Sequence, residues 1–348
     1  MGSVPLLSVI VTAHDRRRYL LGAVRSVIKQ EIPRGLYEVI VVKNFRDEVI
    51  DRALDEWGIT NLHSGNTGVG AKVAEALGVA RGDVIALLDD DDEFLPGKLE
   101  AVLRAFSSRP RLGLYRNGLL TVDESGRPIG RDGAREAMEA DCSERGPLRH
   151  MAARGLLFNS SSMAVRREVL DARDSVLRAL ELAVDSYYPL RALMNGYRAL
   201  MDPRPLTAYR IHGAQTYGGS GSLEDFRRRG ARNELRYLGD AGLILRAARG
   251  SPCEGLARHL YTYHAAGSMK AAGGLGMGRE LRGSIGVSLR DLVAYLNVEL
   301  LRPEPFRLAK LALDLGSFAL PGAIVGSLQR VPYALRLKNL SGRRARSA

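Results

Sequence analysis

Cysteine is nearly absent: Cys142 and Cys253 are the only two in 348 residues. That count excludes a disulfide-dense secreted scaffold and any cysteine-built zinc module. It leaves a reducing interior as the default, with room for a single bridge. Tryptophan occurs once, and Trp, Tyr and Phe together make up 6% of the chain. They gather into no stacking platform, which argues against a nucleic-acid partner. The six histidines fall into no H-E-x-x-H or comparable zinc spacing. No apolar stretch reaches the roughly 20 uninterrupted residues that a membrane-spanning helix requires. The start, MGSVPLLSVIVTAHD, lacks the basic n-region and small-residue cleavage site of a signal peptide and reads as a first strand. Leu6 stands where a myristoylation signal wants Ser or Thr.

What is present is an ordinary globular composition, 45% hydrophobic and 26% charged. The net charge of +12 suits an anionic partner: nucleic acid, which the scattered aromatics disfavour, phosphorylated substrates or an acidic membrane surface.

The first third alternates strand and helix patterns. LLSVIVTAH and YEVIVVKNF are continuous apolar runs, as expected of parallel strands covered on both faces. Between and after them, RRYLLGAVRSVIKQ, DEVIDRALDEWG and VGAKVAEALGVARG carry helical spacing, the second stopped at Gly58 and the third at Gly82. DVIALLDD is a further buried strand, and PGKLEAVLRAF opens a helix with proline at its first turn. This alternation predicts a mostly parallel, doubly wound sheet with helices on both faces. Residues 111–220 look mixed: a hairpin turning at DESGRP, a strand then a helix from SSMAVRREVL, a helix ending near Gly196, and a proline-broken strand RALMDPRPLTAYR. GAQTYGGSGS is a Gly/Ser-rich loop. From Leu223 onward the patterns are helical. The expected organisation is a catalytic domain over 1–220, in halves 1–110 and 111–220, and a helical region over 221–348.

VIALLDDDDEF puts Asp89, Asp90, Asp91 and Asp92 at the carboxyl end of a buried strand, where ligands of open α/β sheets bind. Four adjacent carboxylates repel unless a cation neutralises them. The fitting cation is a hard divalent ion, Mg²⁺ or Mn²⁺, which also bridges to substrate phosphates. An acidic helix start would explain one or two of the four. GNTGVGAK fails as a phosphate-binding P-loop, because Ala71 intervenes between Gly70 and Lys72 and Val73 follows. SSSM at 160–163 lacks the flanking glycines of a serine nucleophile elbow.

Taken together, SVIVTAHDRRRYLLGAVRSVIKQ, EVIVVKN and GNTGVGAKVAEALGVARGDVIALLDDDDEFLPGKLE resemble the family 2 glycosyltransferases of GT-A fold. The resemblance is close over about residues 6–106. It continues loosely to about 215 through AVDSYYPLRALMNGYRALMDPRPLTAYRIHG. It implies a metal-dependent, inverting transfer of a sugar from a nucleoside diphosphate, UDP before GDP or dTDP, to a glycan or lipid-linked acceptor. Thr12, Ala13, His14 and Asp15 would frame the base with Asn44. Asn66, Gly68 and Lys72 would lie beneath the nucleotide, and Asp89 and Asp90 would meet its ribose side. Asp91 and Asp92 would bind the metal, with His212 reaching the metal or diphosphate and Arg210 as its companion. Asp185 would be the catalytic base, although a helix-surface aspartate meets the same pattern. Two positions depart from the family: Lys43 stands where an acid usually ends the second strand, and Val184 precedes the base where Glu is usual. They favour the rival reading of a degenerate nucleotide-sugar-binding scaffold. A nucleotidyltransferase would want a glycine-rich loop after the first strand, which TAHDRRRY does not supply.

The tail holds LALDLGSFALPGAIVGSLQ, apolar but interrupted by Asp314, Gly316 and Pro321, and then a strip with six basic residues and no acid. It reads as an interfacial anchor for anionic headgroups, which would bring a cytoplasmic protein to the inner face of the cell membrane. A buried C-terminal helix with a basic end meets the same features.

Overall fold

The computed structural model describes residues 7–213, 223–273, 285–302 and 307–319. Contacts divide the chain into two compact units. One comprises residues 1–211 with 243–257, and the other comprises 212–242 with 258–348.

The first unit is built on one ten-stranded sheet. Its parallel part has the order β3 (Thr60–His63), β2 (Tyr37–Lys43), β1 (Leu7–Ala13), β4 (Val84–Asp89). Strands β1, β2 and β4 are buried almost end to end, because helices cover both faces. Those helices are α1 (Leu20–Ile28), α2 (Glu48–Glu56), α3 (Val69–Val79) and α4 (Lys98–Ser107). Asp47 caps α2 by accepting the Ile50 amide at 3.1 Å, and Gly58 turns the chain out of it at φ 65°. The core joins Val9, Val11, Val24, Val41, Leu88 and Leu99.

Beyond β4 the sheet becomes mixed: β9 (Met163–Arg166), β6 (Leu112–Val122), β10 (Arg198–Arg210) and the two-residue β5 (Glu93–Phe94). The hairpin partner β7 (Pro128–Asp132) pairs with β6, and β8 (Met138–Ala140) pairs with β10. The hairpin turns where DESGRP predicts it. Asp123 Oδ1 accepts the amides of Ser125 and Arg127, and Gly126 supplies φ 84°. The β10–β6 register shifts around Pro205, as a strand with no amide to donate there must. After β8 come α5 (Arg145–Ala153), then α6 (Ser175–Ala179) and α7 (Val184–Met194), with Gly196 at φ 80° ending the last. SSMAVRREVL gives its strand, but the expected helix is only a single 3-10 turn at Arg167–Val169. Cys142 and Cys253 form the one bridge that composition leaves room for.

Helices α8 (Leu223–Ala248), α9 (Glu254–Gly273), α10 (Leu289–Glu299) and α11 (Arg307–Ala319) make up the remainder, with no strand among the described residues. Within the second unit, α11 turns Leu311, Asp314 and Ser317 inward. Asp314 is held by Lys310 Nζ at 2.7 Å and by Lys270 and Tyr295. A buried, ion-paired aspartate on the inner face marks α11 as a packed helix over Arg307–Ala319. No described helix is long and apolar enough to cross a membrane. The Gly/Ser-rich loop from residue 214 and the basic strip past residue 319 lie outside the described residues.

Candidate active site

The carboxyl edges of β1 and β4 lie side by side, with Thr12 opposite Asp89. The chain leaves β1 through a strained turn, Asp15 at φ 57°. A reciprocal pair holds that turn: Asn44 Oδ1 accepts the Asp15 amide and Asn44 Nδ2 donates to Asp15 Oδ1, both at 2.8 Å. Lys72, buried, reaches back from α3 to donate to Ala13 O at 3.0 Å and lies 2.8 Å from His14 Nδ1. Burial lowers its pKa to about 8. These five residues, Ala13, His14, Asp15, Asn44 and Lys72, with Thr12 half-buried beside them, form one corner of the site.

The turn delivers Arg16 onto the aspartates. Its Nη1 donates to Asp91 Oδ2 at 2.6 Å, and Nη2 pairs with Asp90. Arg16 carries no signal in its own spacing, since it is one of three arginines in a row, and sequence reasoning missed it. The four carboxylates diverge. Asp89 accepts Ser160 Oγ at 3.1 and 3.0 Å, and its amide donates to Ser161 Oγ at 3.0 Å. Asp92 Oδ1 accepts the Arg210 amide at 3.0 Å, and Oδ2 accepts Asn159 Nδ2 at 3.1 Å. Arg210 Nε grips the Asp91 carbonyl at 3.1 Å and Nη2 the Glu93 carboxylate at 2.6 Å. Arg210 therefore braces the aspartate loop. Burial, and then the Asp91 charge, push Asp89 up to about 6 and Asp92 well above its usual range. Burial raises Asp90 to about 7 against the pull of Arg16.

Such a cluster is short of positive charge even with Arg16 in place, and a hard cation is the chemistry that relieves it. Among the described residues no three His, Cys, Asp or Glu side chains converge as a ready cage. Mg²⁺ and Mn²⁺ need none, since one or two carboxylates plus phosphate oxygens commonly hold them. Asp91 with Asp89 fits that requirement. Asp92 has its two oxygens taken by two separate donors, the Arg210 amide and Asn159 Nδ2, whereas one hydroxyl, Ser160 Oγ, spans both oxygens of Asp89.

Asp185 stands half-buried in the first turn of α7. Its Oδ2 accepts the Asn159 amide at 3.0 Å and its Oδ1 the Ser186 amide at 2.8 Å. Tyr188, one turn along, is fully buried in the field of both Asp89 and Asp185. The segment Asn159–Ser162 thus touches Asp89, Asp92 and Asp185, and its only sequence signal was a run of small polar residues after a strand-like stretch.

Other expected residues lie differently. Asn66 is exposed and donates to Glu75 at 2.5 Å. A Cβ at Gly68 would sit 2.9 Å from Leu180 O, and one at Gly70 would sit 1.9 Å from Leu177 O. The Val69 and Gly70 amides are spent on the carbonyls of Glu181 and Leu180, at 3.2 and 3.1 Å. These glycines seat α3 against the α6–α7 connection. Lys43, whose positive charge departs from the family pattern, is buried and ion-paired with Asp51 at 2.6 Å, donating also to Phe45 O at 2.8 Å. His212 is buried and opens the second unit.

Residues 8–171 match the family model described as Glycosyl transferase family 2. An uncharacterised glycosyltransferase of Methanocaldococcus jannaschii is 28% identical over 35% of this chain and 44% of its own length. One from Nostoc sp. is 29% identical over 32% of the chain and 36% of its own length. The matched segment is therefore less than half of either relative. Among solved structures, the mannosyltransferase PcManGT from Pyrobaculum calidifontis, in complex with GDP-Man and Mn²⁺, superposes with TM-score 0.54 at 15% identity. That match covers 94% of this chain and 88% of PcManGT. S. aureus TarS 1–349, in complex with UDP-GlcNAc, gives 0.51 at 15% identity over 89% and 92%. At these identities the structural likeness establishes a shared fold.

Proposed function

We infer, from a chain whose residues 8–171 belong to glycosyl transferase family 2, that it moves a sugar from a nucleoside-diphosphate sugar to an acceptor hydroxyl with inversion. The observation that carries this reading is the union of two carboxylate sets by one segment. The aspartates at the β4 edge and Asp185 on α7 are both bonded to Asn159–Ser162. One set suits the departing diphosphate and the other suits the attacking hydroxyl.

Asp185 would take the acceptor's proton. It is held by two backbone amides, which fix its aim. The Asp15–Asn44 pair and Lys72 shape the base end of the nucleotide site. A Mg²⁺ or Mn²⁺ ion, held by Asp91 and Asp89, would supply Lewis-acid stabilisation of the leaving diphosphate. Arg16, already on Asp91, is a second cation beside that position. The similar proteins in complex with UDP-GlcNAc and with GDP-Man support a nucleotide-sugar donor. The scaffold alternative loses one support, because the Lys43 ammonium is spent on Asp51 and Phe45.

The test is nucleotide release from UDP-, GDP- and dTDP-sugars by wild type and Asp185→Asn. One nucleotide class should be released by wild type. The variant should lose about 10²–10⁴-fold in turnover, the usual worth of a general base, while nucleotide affinity holds. Equal turnover in the two proteins would remove Asp185 from the chemistry.

A further inference from the structure

Asn159 is one of two non-glycine residues with positive φ among the described residues, at φ 66° and ψ 99°. It is 5% exposed. A side chain kept in that region needs a reason, and here three bonds supply one. The backbone amide donates to Asp185 Oδ2 at 3.0 Å. Side-chain Nδ2 donates to Asp92 Oδ2 at 3.1 Å. Side-chain Oδ1 accepts the Ser162 amide at 2.9 Å, capping the 3-10 turn Ser160–Ser162. That turn places Ser160 Oγ on both oxygens of Asp89.

The segment is clamped at both ends by buried basic side chains. Arg116 Nε donates to Phe158 O at 3.3 Å, and Lys98 Nζ donates to Ser162 O at 3.0 Å. Gly155, at φ 91°, leaves room for the Arg116 guanidinium, since a Cβ there would stand 3.2 Å from Nη2. Moving either end would take a carbonyl acceptor away from a buried basic side chain.

We propose that Asn159 is a positioning residue that sets the aim of Asp185 relative to the β4 aspartates, so that nucleotide binding and proton removal share one geometry. This rests on the transferase reading of the same site. Asparagine suits the position on three counts. It tolerates positive φ, its amide donates to one carboxylate, and its carbonyl caps the turn. Glycine would keep the backbone conformation and lose both side-chain bonds. Aspartate would keep the cap but set a carboxylate against Asp92.

The experiment is a double-mutant cycle on nucleotide release from the UDP-, GDP- or dTDP-sugar that wild type turns over, with binding of the free nucleotide measured in parallel. Asn159→Gly should bind the nucleotide within about threefold of wild type yet turn over at least about tenfold more slowly. In the Asp185→Asn background the same change should cost less than about twofold, because residues that act as one unit are not additive. Asn159→Asp should keep more turnover than the glycine variant and bind nucleotide more weakly, splitting kcat from KM in the opposite sense. The same loss in both backgrounds overturns the proposal, as does a folded, nucleotide-binding glycine variant with wild-type turnover. Should Asn159→Gly fail to bind nucleotide, the aspartate variant alone decides: wild-type turnover from it also overturns the proposal. A wild type that releases no nucleotide from any of the three sugars removes the transferase reading, and the proposal with it.

Discussion

At the residue scale, charge is managed by pairing. Lys43 illustrates how a position that looks anomalous in the sequence is settled locally. Its ammonium sits inside the fold only because Asp51 on the next helix is there to meet it. Burial would raise Asp51, but hydrogen bonds from Lys43 and Asn61 outweigh it and bring its pKa down to about 2. A folded pKa below the unfolded value of 3.8 means the stabilisation is complete above about pH 4 and fades as pH falls toward 2. Asp51→Asn should therefore cost about 1–3 kcal/mol at pH 6, less than a fully buried pair because Asp51 is partly exposed. In urea unfolding the gap to wild type should narrow steadily between pH 4 and pH 3. A gap that stays constant over that interval would mean the pair contributes no charge-dependent stability. The four aspartates were legible as a cation-seeking cluster. Arg16 was not, because only the strained Asp15 turn decides which of three consecutive arginines reaches them.

At the element scale, most of the first unit could be read in advance. Continuous apolar runs gave the parallel strands, and Gly58 and Gly196, at positive φ, gave two helix ends, whereas α3 stops at Val79, ahead of the expected Gly82. The cradle 159–162 could not be read, because it follows no period and its role comes from contacts with residues up to 72 positions away. The glycines of α3 were legible as a cluster but not by cause. Gly70 and Gly78 lie in the same helix and differ only in surroundings. A Cβ at Gly70 would meet Leu177 O at 1.9 Å, whereas nothing lies within 4 Å at Gly78. Gly70→Ala should destabilise by more than about 2 kcal/mol through overpacking against backbone. Gly78→Ala should stabilise by about 0.5–1 kcal/mol through helix propensity. Thermal unfolding of the two variants checks this, and similar shifts in both would refute the close α3–α6 seating.

At the scale of the whole molecule, the family match over residues 8–171 and the fold shared with PcManGT and TarS point to the same architecture. The Cys142–Cys253 bridge closes a separation of 111 residues within the first unit. In the second unit, Asp314 and its lysines turn an apolar-looking tail helix into a packed one. These pairs were not legible in the sequence, because hydropathy does not reveal which face of a helix a single aspartate occupies. The central claim is that the β4 aspartates bind a nucleoside diphosphate together with a divalent cation. Calorimetry of UDP, GDP and dTDP, each with and without Mn²⁺, on wild type and Asp91→Ala tests it most directly. The expected result is Mn²⁺-dependent binding of one nucleotide to wild type and its loss in the variant. Equal binding to both proteins, or none under any metal condition, would contradict the claim.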